Sequence, residues 1–497
     1  MQLTEKKIKL SDLLLNIVPV DLKCDCLITG LTLDSRTVKK GDLFLACVGM
    51  AFDGRNFILD AVKKGAAAVL CEDSSLHITS PKNIPIIVIA NLRYHIGLIA
   101  AKFYNYPAKK LTMIGVTGTN GKTSITQHVA TILTKLGIPC GVIGTIGIGL
   151  PGKLVQTINT TPDPVTLHRS LFELVAVKAK AVAIEISSHS LVQGRISGID
   201  FDIAVFTNLT RDHLDYHGTM ISYGEAKKIL FSHSQLKHAV INADDEFGRS
   251  LIQEFRSSLD VYAYILSDNF FVNVPTIKAQ AVKIAAPLVS AYVDTPWGTG
   301  LLQSKLLGRF NLSNLLAVLT ILGIMRIGIQ DVLAAISQLG AVEGRMQVFG
   351  GEKGKPMVVV DYAHTPDALE KALLNLREYC KGSLWCVFGC GGDRDQGKRP
   401  LMGRIAERLS DHVIITNDNP RIEDPQHIVD DILQGLLCAW AAKVEFDRVA
   451  AITYAINHAK AGDLVLIAGK GHEDYQIIGK EKIPSNDKEV VLKALKC

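Results

Sequence analysis

The sequence predicts an α/β protein of three domains. Three features predict it: a length of 497 residues, which fits about three domains at roughly 150 residues each; repeated alternation of short apolar runs with helical patterns; and polar or glycine-rich loops placed directly after several of those runs. The composition, with 48% hydrophobic, 21% charged and 6% aromatic residues, is that of a globular chain and excludes disordered and fibrous forms.

From residue 31 to about 91, apolar stretches at 42–46, 68–70 and 86–89 are separated by helical patterns, and they read as a small α/β domain. A helix expected over 96–106, followed by Pro107, places a boundary near residue 96. The middle segment has apolar strands at 111–116, 181–186, 204–209 and 239–242 with helical patterns between them, which implies parallel βαβ units. A third alternation begins after Gly344, with strands at 358–360, 384–388, 412–416 and 464–468. These strands run into the loops Asp361-Tyr-Ala-His-Thr365, Gly389-Cys-Gly-Gly-Asp-Arg394, Asn417-Asp-Asn-Pro-Arg421 and Gly469-Lys-Gly-His-Glu473. Ligands of parallel sheets gather at the carboxyl ends of strands, so four such loops on one sheet edge are expected to form a substrate site. The expected division is 1–96, 97–341 and 342–497.

A net charge of +5 over this length is mild, and no dense Lys/Arg run with interleaved aromatics occurs, so nucleic acid is not an expected partner. The first ten residues lack the apolar core of a signal peptide, and the nearly apolar helical stretch 315–325 is too short to span a bilayer. A cytoplasmic protein without membrane partners is expected. Ten cysteines lie scattered with no paired CxxC units, which reads as reduced, mostly buried thiols.

The strand at 111–116 runs into Gly118-Thr-Asn-Gly-Lys-Thr123 and an amphipathic helix expected over 124–136. This is a nucleotide triphosphate site. Gly118 and Gly121 let backbone N–H groups of this loop, which also holds Thr119 and Asn120, close on phosphate oxygens, Lys122 adds a point charge, and Thr123 offers a hydroxyl to Mg²⁺. Val116 stands where the strict Gly-x-x-x-x-Gly-Lys-Ser/Thr rule has its first glycine, which marks a variant loop. Glu185 closes the apolar strand at 181–186, where an unpaired carboxylate is costly to bury; a metal ion would satisfy it, and the alternative is a strand-end glutamate reaching solvent. His213, after a second strand end, is a further candidate ligand, although a histidine alone is more often simply packed or exposed. Lys227, in a helix expected over 223–231, would ordinarily be a solvated surface lysine.

The phosphate loop, Glu185-Ile-Ser-Ser-His-Ser-Leu-Val-Gln-Gly-Arg195, Asn208-Leu-Thr-Arg-Asp-His-Leu-Asp-Tyr-His217, Gly344-Arg-Met346 and Asp361-Tyr-Ala-His-Thr-Pro366 together resemble the Mur ligase family over nearly the whole chain. Within it they look most like the members that add the third amino acid. Asp34-Ser-Arg36 and Asp53-Gly-Arg55 match the family's uridine nucleotide domain. The resemblance implies a central P-loop-type, mostly parallel ATPase domain and a Rossmann-like C-terminal domain. It further implies that Ser35 contacts the UDP-sugar and that Thr160, Thr161, Ser187, Gln193 and Arg195 hold the muramoyl-dipeptide. Thr123, Glu185 and His213 would organise Mg²⁺, and Lys227 matches a lysine that captures CO₂ as a carbamate (N6-carboxylysine). Asn311, Arg345 and Asp361 match positions contacting ATP.

The acceptor choice rests on Asp418, Asn419, Pro420 and Arg421, a string that in the family resembles members adding meso-diaminopimelate; a guanidinium can grip bidentately the distal carboxylate that lysine lacks. Arg394, Gly469 and Glu473 complete the matching acceptor pocket. An alternative in which Arg421 forms only a structural ion pair stays open. Departures from the family pattern are Pro162-Asp163 after the paired threonines and Gly194 in place of a bulkier residue. The implied activity is ATP-dependent addition of meso-diaminopimelate to UDP-N-acetylmuramoyl-L-alanyl-D-glutamate by a monomeric enzyme, with Lys122, Glu185, His213 and Lys227 as its catalytic groups. The competing readings are a folate polyglutamate synthetase, a lysine-adding relative, and a nucleotide-gated binding protein without ligase chemistry.

Overall fold

A computed structural model describes residues 7–49, 53–72, 84–157, 159–267, 272–285, 288–352 and 354–496. The chain forms two compact units, one of Met1–Ile114, Ile138–Asp202 and His233–Gln235, the other of Gly115–Gly137, Ile203–Ser232 and Leu236–Cys497.

In the first unit, Gly30–Thr32, Asp42–Ala46, Ala68–Cys71 and Ile86–Val88 form a four-stranded parallel sheet in chain order. Asp42–Ala46 is buried throughout. Its Leu43 and Leu45 face a cluster with Leu92, Ile96, Ile99 and Phe103, while Phe44 faces Ile58, Ala61 and Val62. A helix on each face is what an all-parallel sheet requires. Gly65, at φ 101°, ends the helix Ile58–Lys64 in the left-handed conformation that glycine adopts at least cost. The helix expected over 96–106 is Leu92–Phe103, which stops before Tyr106 and Pro107. The same unit holds the parallel pair Cys140–Ile143 and Ala181–Glu185, and a hairpin of Ile148–Leu150 with Lys153–Val155. Asp163 caps the helix Pro164–Ala176 by accepting from the Thr166 N–H, and Pro164 occupies the first turn, where no N–H is needed.

In the second unit, Ile203–Phe206, His238–Asn242 and Asp260–Ile265 run parallel, as the alternation implied. Beyond them come Thr276–Ala285, parallel to Asp260–Ile265, and then antiparallel Leu288–Thr295 and Gly298–Ser304. The alternation of buried Val289, Ala291 and Val293 with outward residues marks the middle strand of this meander. The helix Arg309–Ile324 is buried almost all round, which explains its nearly uniform apolar sequence.

The last sheet has six strands, in the order Gln347–Gly350, Met357–Asp361, Leu464–Ala468, Leu384–Phe388, His412–Ile415 and Lys443–Val444. Only the first is antiparallel to its neighbour. Leu464–Ala468, last in sequence, lies between Met357–Asp361 and Leu384–Phe388, so the winding reverses there and opens a crevice at the strand ends. Every cysteine among the described residues is free, and no helix among them is long and apolar enough to cross a membrane.

Beneath this sheet edge Arg448 and Asp487, each about 1% exposed, form a bidentate pair at 2.7 and 2.8 Å, and the same guanidinium donates to the carbonyls of Ala468 and Asn417. Burial opposes the charge on Arg448, and Asp487 restores it, leaving the guanidinium pKa raised. Arg448→Met therefore leaves a buried carboxylate without its partner and is expected to destabilise the second unit by about 3–5 kcal/mol, measured by urea unfolding; a loss below about 1 kcal/mol would contradict the role given to the pair.

Candidate active site

The phosphate loop belongs to the second unit, and its shape is dictated by close packing. Gly118 and Gly121 have φ of 140° and 91°, and a Cβ at either would overlap Thr207 Oγ1 or Asn314 Oδ1. The loop hangs on the segment after Ile203–Phe206: the Thr119 N–H donates to Asn208 O at 2.8 Å, the Asn120 N–H to Asn208 Oδ1 at 2.9 Å, and Thr207 Oγ1 to Asn120 O at 2.6 Å. Lys122 Nζ donates to the carbonyls of Gly118 and Thr119, both at 2.8 Å. The helix that follows, Lys122–Lys135, starts two residues earlier than the sequence pattern suggests.

Arg345 comes to this loop, stacked 4.3 Å from the Tyr362 ring centroid and donating from Nη2 to Thr123 Oγ1 at 3.1 Å. Asp361 holds Arg345's segment in place, because its carboxylate accepts the Met346 N–H at 2.7 Å and the Ala363 N–H at 2.8 Å. Burial raises the Asp361 pKa, and Arg345 opposes the rise. Asn120 also reaches Asp367 Oδ2 at 3.1 Å. Asn311 is buried, donates to Leu307 O at 2.8 Å and accepts from Asn314 at 3.4 Å, so here it braces the helix beside Gly121.

His213 and Lys227 gather around a residue that carried no motif of its own, Asp212. Its carboxylate lies 3.4 Å from His213 Nε2 and 3.8 Å from His364 Nε2. Burial would raise the Asp212 pKa, but attraction from His213, His364 and Lys398 outweighs it and brings the carboxyl down to about 2. Lys227, on the helix Met220–Lys228, is not solvated: it is 1% exposed, with Nζ 4.1 Å from the Tyr223 ring centroid and no ion-pair partner among the described residues. Desolvation, with repulsion from Lys122, pushes its pKa well below that of a free lysine. The helix begins earlier than expected because Thr219 caps it, accepting from the Ser222 N–H.

In the first unit Glu185 is 1% exposed, yet its carboxylate is not unpaired. Oε1 accepts the Thr145 N–H at 2.8 Å and Oε2 the Thr145 hydroxyl at 3.0 Å, so the carboxylate is satisfied within the protein and does not reach solvent. A Cβ at Gly144 would overlap that carboxylate. The expected dipeptide residues join the same network. Thr160 Oγ1 lies 3.1 Å from Thr145 Oγ1, Thr161 donates to Glu185 O at 2.7 Å and accepts the Ser187 N–H at 3.1 Å, and Arg195 donates to Thr161 O and Gln193 Oε1. Ser35 lies apart from them on the buried loop after Gly30–Thr32, its carbonyl accepting Lys64 Nζ at 2.9 Å.

The four C-terminal loops do meet at one sheet edge. Asn419 Nδ2 donates to Glu473 Oε2 at 3.0 Å, and Lys470, fully buried, donates to Asn419 Oδ1 and Glu473 Oε2 at 3.1 and 2.9 Å. A Cβ at Gly469, at φ 114°, would press on the buried carboxylate of Asp418. Pro420 is buried and its carbonyl would meet any side chain at Gly392. Arg421, in the left-handed region at φ 56°, donates only to carbonyls, Gly392 O at 2.7 Å and Asn419 O at 3.4 Å. It has no carboxylate ion pair among the described residues, so the alternative of a structural ion pair does not hold. Burial and then repulsion from exposed Arg394 lower its pKa.

Comparison with known proteins gives a consistent result. The chain matches the family models described as Mur ligase family, catalytic domain at residues 27–104, Mur ligase middle domain at 116–322, and Mur ligase, glutamate ligase domain at 344–471. It is 48% identical over 474 residues, 95% of this chain and 97% of the other, to a UDP-N-acetylmuramoyl-L-alanyl-D-glutamate--2,6-diaminopimelate ligase of Coxiella burnetii. It is 50% identical over 473 residues, 95% and 96% of the two chains, to the protein of the same name in Pseudomonas aeruginosa. A solved structure of a ligase of that name superposes with a TM-score of 0.70 at 35% identity, covering 98% of this chain and 99% of that one.

The Asp212 cluster has a consequence for stability. A carboxyl lowered to about 2 from its unfolded value near 3.9 adds roughly 2–3 kcal/mol above pH ~4, lost as the pH falls through about 2. Unfolding free energies of the native chain and Asp212→Asn should thus differ in their pH dependence between pH 5 and 3, the variant being flatter; parallel curves would refute the assignment.

Proposed function

The chain belongs to the Mur ligase family, and on that premise we propose that it is an ATP-dependent ligase joining meso-diaminopimelate to UDP-N-acetylmuramoyl-L-alanyl-D-glutamate in peptidoglycan precursor synthesis. The observation that carries the acceptor is Arg421, a guanidinium bonded only to carbonyls beside a second arginine and within reach of the Asn419–Glu473 network. The acceptor's carboxylates are the groups that Arg394 and Arg421 lack as ion-pair partners among the described residues. The domain division proposed is 1–96 for the UDP-sugar, 97–341 for ATP and 342–497 for the acceptor, in line with the three family models. A cytoplasmic monomer is part of the same proposal, because the substrates proposed for it are soluble nucleotides and an amino acid.

The reaction proceeds in two balanced steps. An oxygen of the glutamate γ-carboxylate attacks the γ-phosphorus of ATP, ADP leaves, and an acyl phosphate forms. The diaminopimelate amine then attacks the acyl carbon, phosphate leaves with the electron pair of the C–O bond, and the amine's proton is released. Lys122 and the phosphate-loop amides other than those of Thr119 and Asn120, which donate to Asn208, offset charge on the γ-phosphate, and Arg345 reaches the loop at Thr123. Thr160, Thr161, Ser187, Gln193 and Arg195 orient the dipeptide in the first unit, with Ser35 contributing to the UDP-sugar.

No group of three or more His, Cys, Asp or Glu side chains among the described residues could hold a metal ion. Thr123 in the second unit and Glu185 in the first are each hard oxygen donors of the kind Mg²⁺ prefers, which supports their assignment, with His213 as a further candidate, to a Mg²⁺ carried mostly by substrate phosphates. Bound there, Mg²⁺ supplies neutralisation of phosphate charge. Lys227 supports the carbamate role: burial and the nearby Lys122 push its pKa well below that of a free lysine, against attraction from Asp212, which favours the unprotonated amine that attacks CO₂.

ADP release by the purified protein with ATP, Mg²⁺ and the UDP-muramoyl-dipeptide should depend on meso-diaminopimelate and not be supported by L-lysine; preference for lysine would overturn the acceptor assignment. Lys227→Ala should retain its circular dichroism spectrum and lose ligation by about a hundredfold or more, and near-normal turnover would remove the carbamate role.

A further inference from the structure

We propose that Arg399 and Glu423 form the positioning pair that sets acceptor specificity, by joining the two loops that carry Arg394 and Arg421 before substrate binds. The inference rests on the acceptor pocket proposed above and assigns work to two residues outside it.

Arg399 is fully buried at the start of the helix Lys398–Leu409. Its guanidinium donates from Nη1 and Nη2 to the two oxygens of Glu423, both at 2.7 Å, from Nη1 to Asp431 Oδ2 at 2.8 Å, and from Nη2 to Gly391 O at 3.3 Å. Glu423 Oε2 also accepts the Asp393 N–H at 2.9 Å. One carboxylate and one guanidinium thus tie the loop of Arg394 to the loop of Arg421. The Gly392 N–H donates to Asn419 O at 3.0 Å and the Ile422 N–H to Asp393 Oδ2 at 3.3 Å, which completes the seam.

The seam holds a conformation that the backbone would not choose. Asp393 and Arg421 both lie in the left-handed region, at φ 53° and 56°, where non-glycine residues are strained. It also holds like charges together, since Arg394 acts on Arg421 as a neighbouring cation. Two guanidiniums fixed in advance on one loop pair suit an acceptor that brings carboxylates and disfavour one that does not. A charge-assisted buried pair is stiff enough to keep them so.

The test compares Glu423→Gln with Asp431→Asn. Both remove a carboxylate from Arg399, but Asp431 sits on the helix Pro425–Leu433 and, unlike Glu423, accepts no backbone N–H from the loop of Arg394 among the described residues. Glu423→Gln should raise the KM for meso-diaminopimelate by about tenfold and narrow the discrimination against L-lysine, leaving the KM values for ATP and the UDP-dipeptide in place. Asp431→Asn should keep the diaminopimelate KM within about twofold of the native value. Equal effects of the two substitutions, or an unchanged KM in Glu423→Gln, would overturn the positioning role. If the native enzyme itself ignores diaminopimelate, it is the acceptor assignment that fails.

Discussion

A strand buried on both faces keeps its polar side chains to its ends, and this constraint places the chemistry of the molecule. Ala181–Glu185, Leu384–Phe388 and Leu464–Ala468 are buried at every position, and the first polar groups appear at Glu185, at Gly389 to Arg394 and at Gly469 to Glu473. Polar residues forced to strand ends must then satisfy one another. Glu185 does so through Thr145, Asp361 through the amides of Met346 and Ala363, and Asn419 through Lys470, Glu473 and the Ile477 N–H. Each bond fixes a rotamer, so the same contacts that stabilise the loops also aim their side chains.

That constraint decides what could be read from sequence. The strands Asp42–Ala46, Leu384–Phe388 and Leu464–Ala468 fall where the apolar runs begin and end, because a doubly buried strand leaves a continuous signal. The antiparallel meander from Thr276 to Ser304 lies outside the alternation of strands with helices that marks the parallel sheet, because its strands follow one another with no helix between them among the described residues. Helix starts slipped where the cap was overlooked, as at Thr219 before Met220–Lys228. Thr145 and Lys398 lie outside every motif, and the partner of Thr145, Glu185, is far away in sequence. Asp212, His364 and Lys470 lie inside the quoted motifs, but their burial and their contacts with His213, Asp212 and Asn419 appear only in the fold.

Lys227 shows the limit most clearly. Its sequence neighbourhood is that of an ordinary helix, and only its burial against Tyr223 separates it from a surface lysine. Where motif resemblance points to a special lysine, the structure shows what sets it apart: burial and the nearby Lys122 lower its pKa well below that of a free lysine, with Asp212 opposing them.

The same logic connects the two ends of the proposed reaction. Lys227 on one side, and Arg394 with Arg421 on the other, are basic groups without a carboxylate pair among the described residues, in a protein that elsewhere pairs its buried charges, as at Arg448–Asp487 and Arg399–Glu423. Basic groups left without a paired carboxylate in this way cost stability and are expected where a ligand supplies the missing charge. CO₂ captured at Lys227 would supply one negative charge, and the acceptor's carboxylates would supply others at the arginines. An acceptor lacking its distal carboxylate would leave a desolvated guanidinium unpaired, a larger penalty than the loss of a favourable contact, so discrimination against lysine comes mainly from what the pocket would be left holding.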